Sequence, residues 1–276
     1  MTFPTAIWNP SEGINLGFFE IKYYSLMFVI AFTLGWYIMK RIYNHENISL
    51  KKLDSLFVYT VLATLLGARL GHVIFYQSEL ITQDPLSVLL PIRTVPDFAY
   101  TGFRGLASHG AAIGIIIAMY LYAKKVLQKP ILYILDRVVI PVAIGGVFVR
   151  FGNFMNSEII GKPTTSKLGV VFEALGEDFA RHPSQLYEAC GYIIVFIILW
   201  ALYWKTNKRN QRGYLFGVFL SLLWTVRFLV EFLKEPQVDA RADWILNTGQ
   251  LLSIPFVLLG LYFMIKSSKK QNVDTL

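Results

Sequence analysis

The sequence is poor in cysteine and in charged residues. It has one cysteine, Cys190, so it cannot form an intramolecular disulfide or a cysteine cluster around a metal. Only 16% of its 276 residues are charged and 55% are hydrophobic, and the mean hydropathy is +0.49. This composition excludes an ordinary soluble protein and indicates a polytopic membrane protein. Because Cys190 lies in an apolar run, we interpret it as a packing residue and not a nucleophile.

Several signatures of common functions are also missing. We find no Asp, Glu and His cluster at metal-ligand spacing, no glycine-rich phosphate loop and no serine nucleophile elbow. The net charge is +8, but the basic residues lie between apolar runs and do not form a basic patch for nucleic acid. The first basic residue is Lys22, so we expect the first apolar segment to be retained and not cleaved as a signal peptide. The sequence therefore predicts no metal, no cofactor and no nucleic-acid partner.

Hydrophobic runs of about 20 residues predict an all-α fold that crosses a membrane seven times in a single polytopic domain, 1–276. The predicted spans are roughly 20–39, 53–76, 105–123, 131–150, 187–204, 214–233 and 248–265. Basic residues concentrate in alternate connections: Lys40, Arg41, Lys51, Lys52, Lys124, Lys125, Lys129, Lys205, Lys208, Arg209, Arg212, Lys266, Lys269 and Lys270. The positive-inside rule then places the N-terminus outside and the C-terminus in the cytoplasm. The long loops 77–104 and 153–186 would form a small periplasmic head on the outer face.

The stretch Arg150–Gly161 is the most polar segment next to a predicted span. It contains one guanidinium, two carboxamides, a hydroxyl, a carboxylate and two glycines, and Arg150 is placed where the fourth span should end. An arginine at the centre of a membrane helix costs about 2.5–3.5 kcal/mol on insertion scales, so such residues are candidates for function. The alternative is that Arg150 only extends to the lipid headgroups.

Two more polar groups lie in spans two and three. Gly67 and Gly71 are four residues apart, which favours close packing of helices, and they flank Arg69. We interpret His72, three residues after Arg69, as a helix-packing residue, and the role of Arg69 stays open. Small residues flank His109, whose imidazole has a pKa suited to proton transfer at neutral pH. An interfacial position is the alternative for His109.

Polar residues also enter spans five and six. We interpret Ser184 as the N-cap of span five, which leaves the functional candidates Gln185, Tyr187 and Glu188. In span six, Arg227 and Glu231 are four residues apart and could pair along one helix. Because an isolated pair costs desolvation in a bilayer, we favour a shared polar cavity for them.

These arginines indicate an anionic ligand, since the guanidinium fork matches phosphate oxygens. Each charge-assisted hydrogen bond contributes about 1.5–3 kcal/mol, which can offset the cost of inserting an arginine. In a bilayer the abundant phosphate belongs to phospholipids. Because no nucleophile is evident in the sequence, a second substrate would have to supply one. A lipid or anion transporter and a membrane scaffold are the alternatives to an enzyme.

Five segments resemble the motifs of the phosphatidylglycerol–prolipoprotein diacylglyceryl transferase family, in the same order and over most of the chain. They are Gly67–Gly71, His109–Gly114, Arg150–Gly161, Arg181–Glu188 and Arg227–Phe232. The resemblance implies a seven-span transferase of the bacterial cytoplasmic (inner) membrane that acts in lipoprotein biosynthesis. It would move the diacylglyceryl group of phosphatidylglycerol to the lipobox cysteine of a preprolipoprotein signal peptide and release glycerol phosphate.

The resemblance also implies roles for particular residues. Arg150 and Arg227 resemble arginines that hold the lipid phosphate, and His109 resembles a histidine proposed as the general base. The predicted substrate-binding residues are Tyr24, Arg69, Asn153, Asn156, Glu158, Gly161, Gln185, Tyr187, Glu188 and Glu231. The chain departs from the family pattern at Ala111, Leu223 and Lys234–Pro236, and these departures bear on lipid preference more than on the type of reaction.

Overall fold

The computed structural model describes residues 6–17, 20–101, 105–235 and 246–273. Within these ranges, seven helices are long and apolar enough to cross a membrane, which confirms the seven predicted spans. The α-helices are α1 (Tyr23–His45), α2 (Leu50–Tyr76), α3 (Leu80–Gln83), α4 (Pro85–Leu89), α5 (Ser108–Tyr122), α6 (Ile131–Met155), α7 (Ser184–Lys205), α8 (Tyr214–Val230) and α9 (Thr248–Val273). The strands are β1 (Ala6–Trp8), β2 (Gly13–Asn15), β3 (Glu20–Lys22), β4 (Ile92–Arg93), β5 (Ala99–Tyr100) and β6 (Val170–Phe172).

Two helix ends differ from the prediction. Helix α1 begins at Tyr23 because β3, which comes directly before it, pairs antiparallel with β2. Helix α6 continues past Arg150 to Met155, five residues beyond the predicted end of the span. The extra turn is stabilised by Phe154, which is buried against Phe172 of β6. Arg150 and Asn153 are therefore both on α6, three residues apart.

The chain divides into two compact units. One unit is Met1–Met39 together with Leu135–Leu276, and the other is Lys40–Ile134. We call them the large unit and the small unit. The predicted single domain over 1–276 stays a prediction.

Glycines hold α2 and α5 together in the small unit. A Cβ atom added to Gly71 would lie 2.5 Å from Gly110 Cα, and one added to Gly110 would lie 2.3 Å from the Gly67 carbonyl oxygen. Gly114 is just as close, because its Cβ would lie 2.6 Å from a carbonyl oxygen of α2. The two backbones are therefore in direct contact, as the glycine spacing predicted.

The connection from α2 to α5 is organised around one buried carboxylate, that of Asp84. Thr94 donates to Asp84 through its backbone N–H at 2.7 Å and through its hydroxyl at 2.5 Å. Ser87 Oγ donates at 2.5 Å and the backbone N–H of Val95 at 3.3 Å. These donors, Ser87 and Thr94 above all, hold the pKa of Asp84 well below its ordinary value. The carboxylate thus fixes the path between α4 and β4.

Helices α6, α7 and α8 form the core of the large unit. Its centre is an apolar cluster of Val147, Ala189 and Tyr192, against which Ile144, Leu223 and Val226 pack. The first turn of α8 is held by Asp136 of α6, which accepts hydrogen bonds from the backbone N–H groups of Gly213 at 2.6 Å and Phe216 at 2.9 Å. A carboxylate at this position satisfies amides that have no partner within the helix.

Extended segments pair beside the end of α6 that carries Arg150. The backbone of Gly161 bridges Lys234, and the N–H of Gly161 donates to the His182 carbonyl at 2.9 Å. Arg181 in turn pairs with Val170 of β6, which runs parallel to β1. The residues after α6, before α7 and after α8 are therefore fixed side by side by main-chain hydrogen bonds.

Candidate active site

A chain of buried ion pairs joins α6, α7 and the end of α8. Glu188 is fully buried, and one of its oxygens pairs with Arg150 Nε while the other accepts a hydrogen bond from Lys234 Nζ at 2.7 Å. The contact with Arg150 is an ion pair and not an aligned hydrogen bond. Lys234 is also buried and lies 3.3 Å from Glu231 Oε2. The chain has two cations and two carboxylates, so its charges balance.

Arg227 adds a positive charge that these pairs do not compensate. In the part of the chain that the structure describes, Glu231 forms an ion pair with Lys234 and not with Arg227. The α-helix ends at Val230 and a 3₁₀ turn begins at Glu231, whose backbone N–H still donates to the Arg227 carbonyl, so the two residues keep helical spacing although Glu231 pairs with Lys234. Among the described residues, Arg227 Nε is buried and has no hydrogen-bond partner. The guanidinium carbon lies 5.4 Å from the centroid of the Trp224 ring, a cation–π contact.

Tyr192 connects the two arginines. Its hydroxyl accepts a hydrogen bond from Arg150, and it also interacts electrostatically with Arg227. Its ring lies against α6, where a Cβ added to Gly146 would lie 3.0 Å from it. The two guanidinium groups thus share one buried tyrosine as a neighbour.

A second polar chain leads from Arg150 to Glu158. Arg150 Nη1 donates to Asn153 Oδ1 at 3.1 Å, and Asn153 Nδ2 donates to Glu158 Oε2 at 3.1 Å. Asn156 Nδ2 donates to the other oxygen of Glu158, also at 3.1 Å. Asn153 is also hydrogen-bonded to the hydroxyl of Tyr24. Glu158 and Asn156 are exposed, so this chain connects the buried arginine to an accessible rim.

Gly161 permits a close approach of three backbone segments. A Cβ at this position would lie 2.5 Å from the carbonyl oxygen of His182 and 2.7 Å from that of Leu233. The backbone at Gly161 is therefore in direct contact with two other backbone segments. Contact with a substrate stays a prediction.

The residues at the start of α7 differ in their surroundings. Ser184 Oγ donates to the Ile159 carbonyl at 2.7 Å and makes no capping hydrogen bond, so our interpretation of Ser184 as an N-cap was wrong. Gln185 is fully buried and its amide donates to the Glu158 carbonyl at 2.6 Å. Tyr187 is partly exposed, and its hydroxyl lies 3.1 Å from His182 Nδ1.

Arg69 and His109 belong to the small unit. Arg69 donates to the carbonyl oxygens of Ser87, of Val88 at 3.0 Å and of Gly105 at 3.5 Å, so its guanidinium fastens α2 to the segments around α4 and before α5. His109 is exposed at the start of α5, with its ring centroid 4.9 Å from that of Phe75. Substrate contact by Arg69 and catalysis by His109 stay predictions.

The large unit thus brings together eleven of the thirteen predicted site residues: Tyr24, Arg150, Asn153, Asn156, Glu158, Gly161, Gln185, Tyr187, Glu188, Arg227 and Glu231. The sequence analysis missed Tyr192 and the buried partner role of Lys234. Tyr192 could have been found from its spacing, because it follows Glu188 by four residues on the same helix. Among the described residues, no group of three or more His, Cys, Asp or Glu side chains could hold a metal ion.

Seven apolar helices with a buried, arginine-containing network define a multi-pass membrane protein whose polar centre suits an anionic ligand. The family model for prolipoprotein diacylglyceryl transferase matches residues 12–266. The chain belongs to the prolipoprotein diacylglyceryl transferase family. This family catalyses diacylglyceryl transfer in lipoprotein maturation, and the chain is accordingly a transferase.

Curated relatives match the chain over nearly its full length. The phosphatidylglycerol–prolipoprotein diacylglyceryl transferase of Bacteroides fragilis is 40% identical over 269 residues, which cover 96% of each chain. The protein of the same name from Tolumonas auensis is 40% identical over 96% of this chain and 98% of its own. That of Porphyromonas gingivalis is 40% identical over 98% of this chain and 97% of its own.

Proposed function

We propose that this chain transfers the diacylglyceryl group of phosphatidylglycerol to the lipobox cysteine thiol of a preprolipoprotein. The thiol sulfur would form a bond to the glyceryl carbon that carries the phosphate. The C–O bond to the phosphate would break, its oxygen would keep the bonding electrons, and glycerol phosphate would leave. The observation that supports this reaction best is Arg227, whose buried Nε has no hydrogen-bond partner and which forms no ion pair among the described residues, beside a balanced chain of ion pairs.

The charge change of the reaction suits two neighbouring arginines. A phosphodiester carries one negative charge, and the departing phosphomonoester carries nearly two at neutral pH. Charge therefore grows on the phosphate as the C–O bond breaks, and donors aimed at it lower the barrier. Arg227 has the uncompensated charge for this role. Arg150, already held by Glu188, is the second donor.

Residues at the rim and in the core have supporting roles. Asn153 and Glu158 orient the Nη1 group of Arg150 through their hydrogen bonds, and Tyr24 is hydrogen-bonded to Asn153. We assign to Asn156 and Tyr187, which are accessible, direct contact with substrate. Glu231, held by Lys234, contributes by neutralising that cation.

His109 is proposed to accept the thiol proton. A free thiol has a pKa of about 8.5 and is mostly protonated at neutral pH, so a base raises the fraction that can attack. The ring of His109 is accessible and packs edge-on against Phe75, which limits its rotation. The residues around it are small.

The test combines purified protein, phosphatidylglycerol vesicles and a synthetic lipobox peptide. Mass analysis should show a thioether-linked diacylglyceryl peptide, with release of an equal amount of glycerol phosphate. Arg150→Ala and Arg227→Ala should each lower kcat by about 100-fold or more, the loss typical when a donor to a transition-state charge is removed. The matched control is Arg209→Ala, because Arg209 lies beyond the opposite end of α7 and contacts Tyr203. If wild-type protein makes no thioether, or if both alanine variants retain full turnover, the proposal is refuted.

We also propose that the chain lies in the bacterial cytoplasmic membrane with its N-terminus outside. In a Cys190→Ala background, Ser166→Cys on the exposed connection before β6 should react with an impermeant maleimide added to intact spheroplasts. Asn210→Cys, after α7, should react only after lysis. Both positions are exposed. The opposite pattern would refute this orientation.

A further inference from the structure

The backbone between α6 and Gly161 contains two residues in the left-handed region. Ser157 has φ +53° and Ile159 has φ +57°. Ser157 is explained by the end of α6, because the N–H groups of Ser157 and Glu158 donate to Phe154 and Asn153 as in a Schellman motif. Ile159 lies beyond this cap, and a β-branched side chain strongly disfavours this conformation. Its strain needs another explanation.

Two buried side chains hold the peptide groups on both sides of Ile159. Gln185 Nε2 donates to the carbonyl of Glu158 at 2.6 Å, and Ser184 Oγ donates to the carbonyl of Ile159 at 2.7 Å. Both side chains are fully buried, so no water competes for these carbonyls. Because the two peptide planes define the rotation at Ile159, the pair Ser184–Gln185 fixes its φ and ψ.

We propose that Ser184 and Gln185 are positioning residues, which hold Ile159 in its left-handed conformation and thereby aim the Glu158 carboxylate at Asn153. This inference rests on the proposed function, since its effect is on the arginine that binds the phosphate. It also gives Gln185 a role different from the predicted contact with substrate.

The conformation that Ser184 and Gln185 impose on Ile159 affects Arg150 through two hydrogen bonds. Glu158 accepts from Asn153, whose oxygen accepts from Arg150. If Ile159 relaxed to negative φ, the Glu158 side chain would turn away and Asn153 would lose an acceptor. Because the charge on the phosphate grows in the transition state, a poorly oriented Arg150 should lower kcat more than it raises KM.

The experiment measures kcat and KM for phosphatidylglycerol in Ser184→Ala, with and without Ile159→Gly. Ser184→Ala alone should lower kcat about tenfold, which corresponds to about 1.4 kcal/mol, with KM changed less than about twofold. Glycine adopts positive φ without strain, so a glycine at position 159 does not need the hydrogen bond from Ser184. Adding Ile159→Gly should therefore restore kcat to within about threefold of wild type.

The matched control is Ile160→Gly in the Ser184→Ala background, because Ile160 has the same side chain and its φ is not positive. It should give no rescue. If Ser184→Ala retains full kcat, or if both glycine variants rescue alike, the inference is refuted. If Ser184→Ala does not fold, the Ser184→Ala/Ile159→Gly protein decides, since it should be folded and active and an inactive product would overturn the inference. A failure of the proposed function is a different result, in which wild-type protein itself makes no thioether.

Discussion

Replacing Glu188 by glutamine tests the buried ion pairs most directly. Glutamine has the same shape but no charge, and its NH2 group would face either Arg150 or Lys234, both of which are donors. Arg150 and Lys234 would then share one neutral acceptor where they now share a carboxylate, and only Lys234 would keep an anionic partner, Glu231. The structure therefore predicts a large loss of stability without any change in side-chain volume.

The magnitude follows from burial. Breaking a buried ion pair by removing one partner costs about 3–5 kcal/mol. For a protein of this size, about 1 kcal/mol corresponds to about 2–4 °C in Tm, so Glu188→Gln should lower Tm by about 6–20 °C. The matched control is Glu12→Gln, which makes the same chemical change at the exposed pair with Lys22. Exposed pairs contribute about 0–1 kcal/mol, so the control should lose at most about 4 °C.

A double variant separates charge from shape. Glu188→Gln with Lys234→Met removes one charge of each sign, and Arg150 keeps the glutamine oxygen as an acceptor. The Tm loss of the double variant should be smaller than the sum of the single losses by the equivalent of about 2 kcal/mol, measured by thermal unfolding in detergent. If the single losses simply add, or if Glu188→Gln melts like wild type, Glu188 does not hold the two cations together and our description of the network is wrong.

Three further predictions concern other parts of the fold. Gly161→Ala places a Cβ 2.5 Å from the His182 carbonyl oxygen and should lower turnover at least about tenfold, because backbone must shift; full turnover would contradict the close approach. Gly110→Ala places a Cβ 2.3 Å from a carbonyl oxygen of α2 and should abolish the monodisperse peak in size-exclusion chromatography. The control Gly145→Ala, whose added Cβ has its nearest contact at 3.7 Å, should behave like wild type. Equal behaviour of the two variants would refute the packing of α2 on α5. The folded state lowers the pKa of Asp84, so its stabilisation is present above the ordinary value of 3.8 and is lost as pH falls through the lower folded value. The Tm difference between wild type and Asp84→Asn should thus be constant above about pH 5 and shrink in strong acid, and a difference that grows on acidification would refute this assignment.

Hydropathy was sufficient to predict the spans but not where the polar side chains point. The seven helices followed from runs of apolar residues, since a membrane segment must satisfy its backbone internally. The helical turn after Arg150 was not predicted, because it is stabilised by contacts of Phe154 with β6, which lies further along the chain. Such contacts leave no periodic signal in the sequence.

The sequence also did not predict which polar side chains pair with one another around Glu188 and Glu231. The spacing of Arg227 and Glu231 allowed a pair along one helix, but the carboxylate of Glu231 pairs with Lys234, three residues further along the chain. Ser184 resembled a capping residue, yet its hydroxyl bonds a carbonyl 25 residues earlier in the chain. The Ser184 contact depends on main-chain pairing between segments that are distant in sequence.

Lys234 has a clear electrostatic role in the network. Lys234 provides an ammonium that contacts both Glu188 and Glu231. An ammonium is a compact point charge and needs no planar fork to reach two carboxylates. Lys234→Arg would therefore change the donor geometry and keep the charge balance, with Arg227 still the uncompensated cation. Arg227 carries the single positive charge that a phosphodiester with a neutral headgroup would neutralise. A preference for an anionic over a zwitterionic lipid should therefore depend on Arg227 and not on which cation occupies position 234.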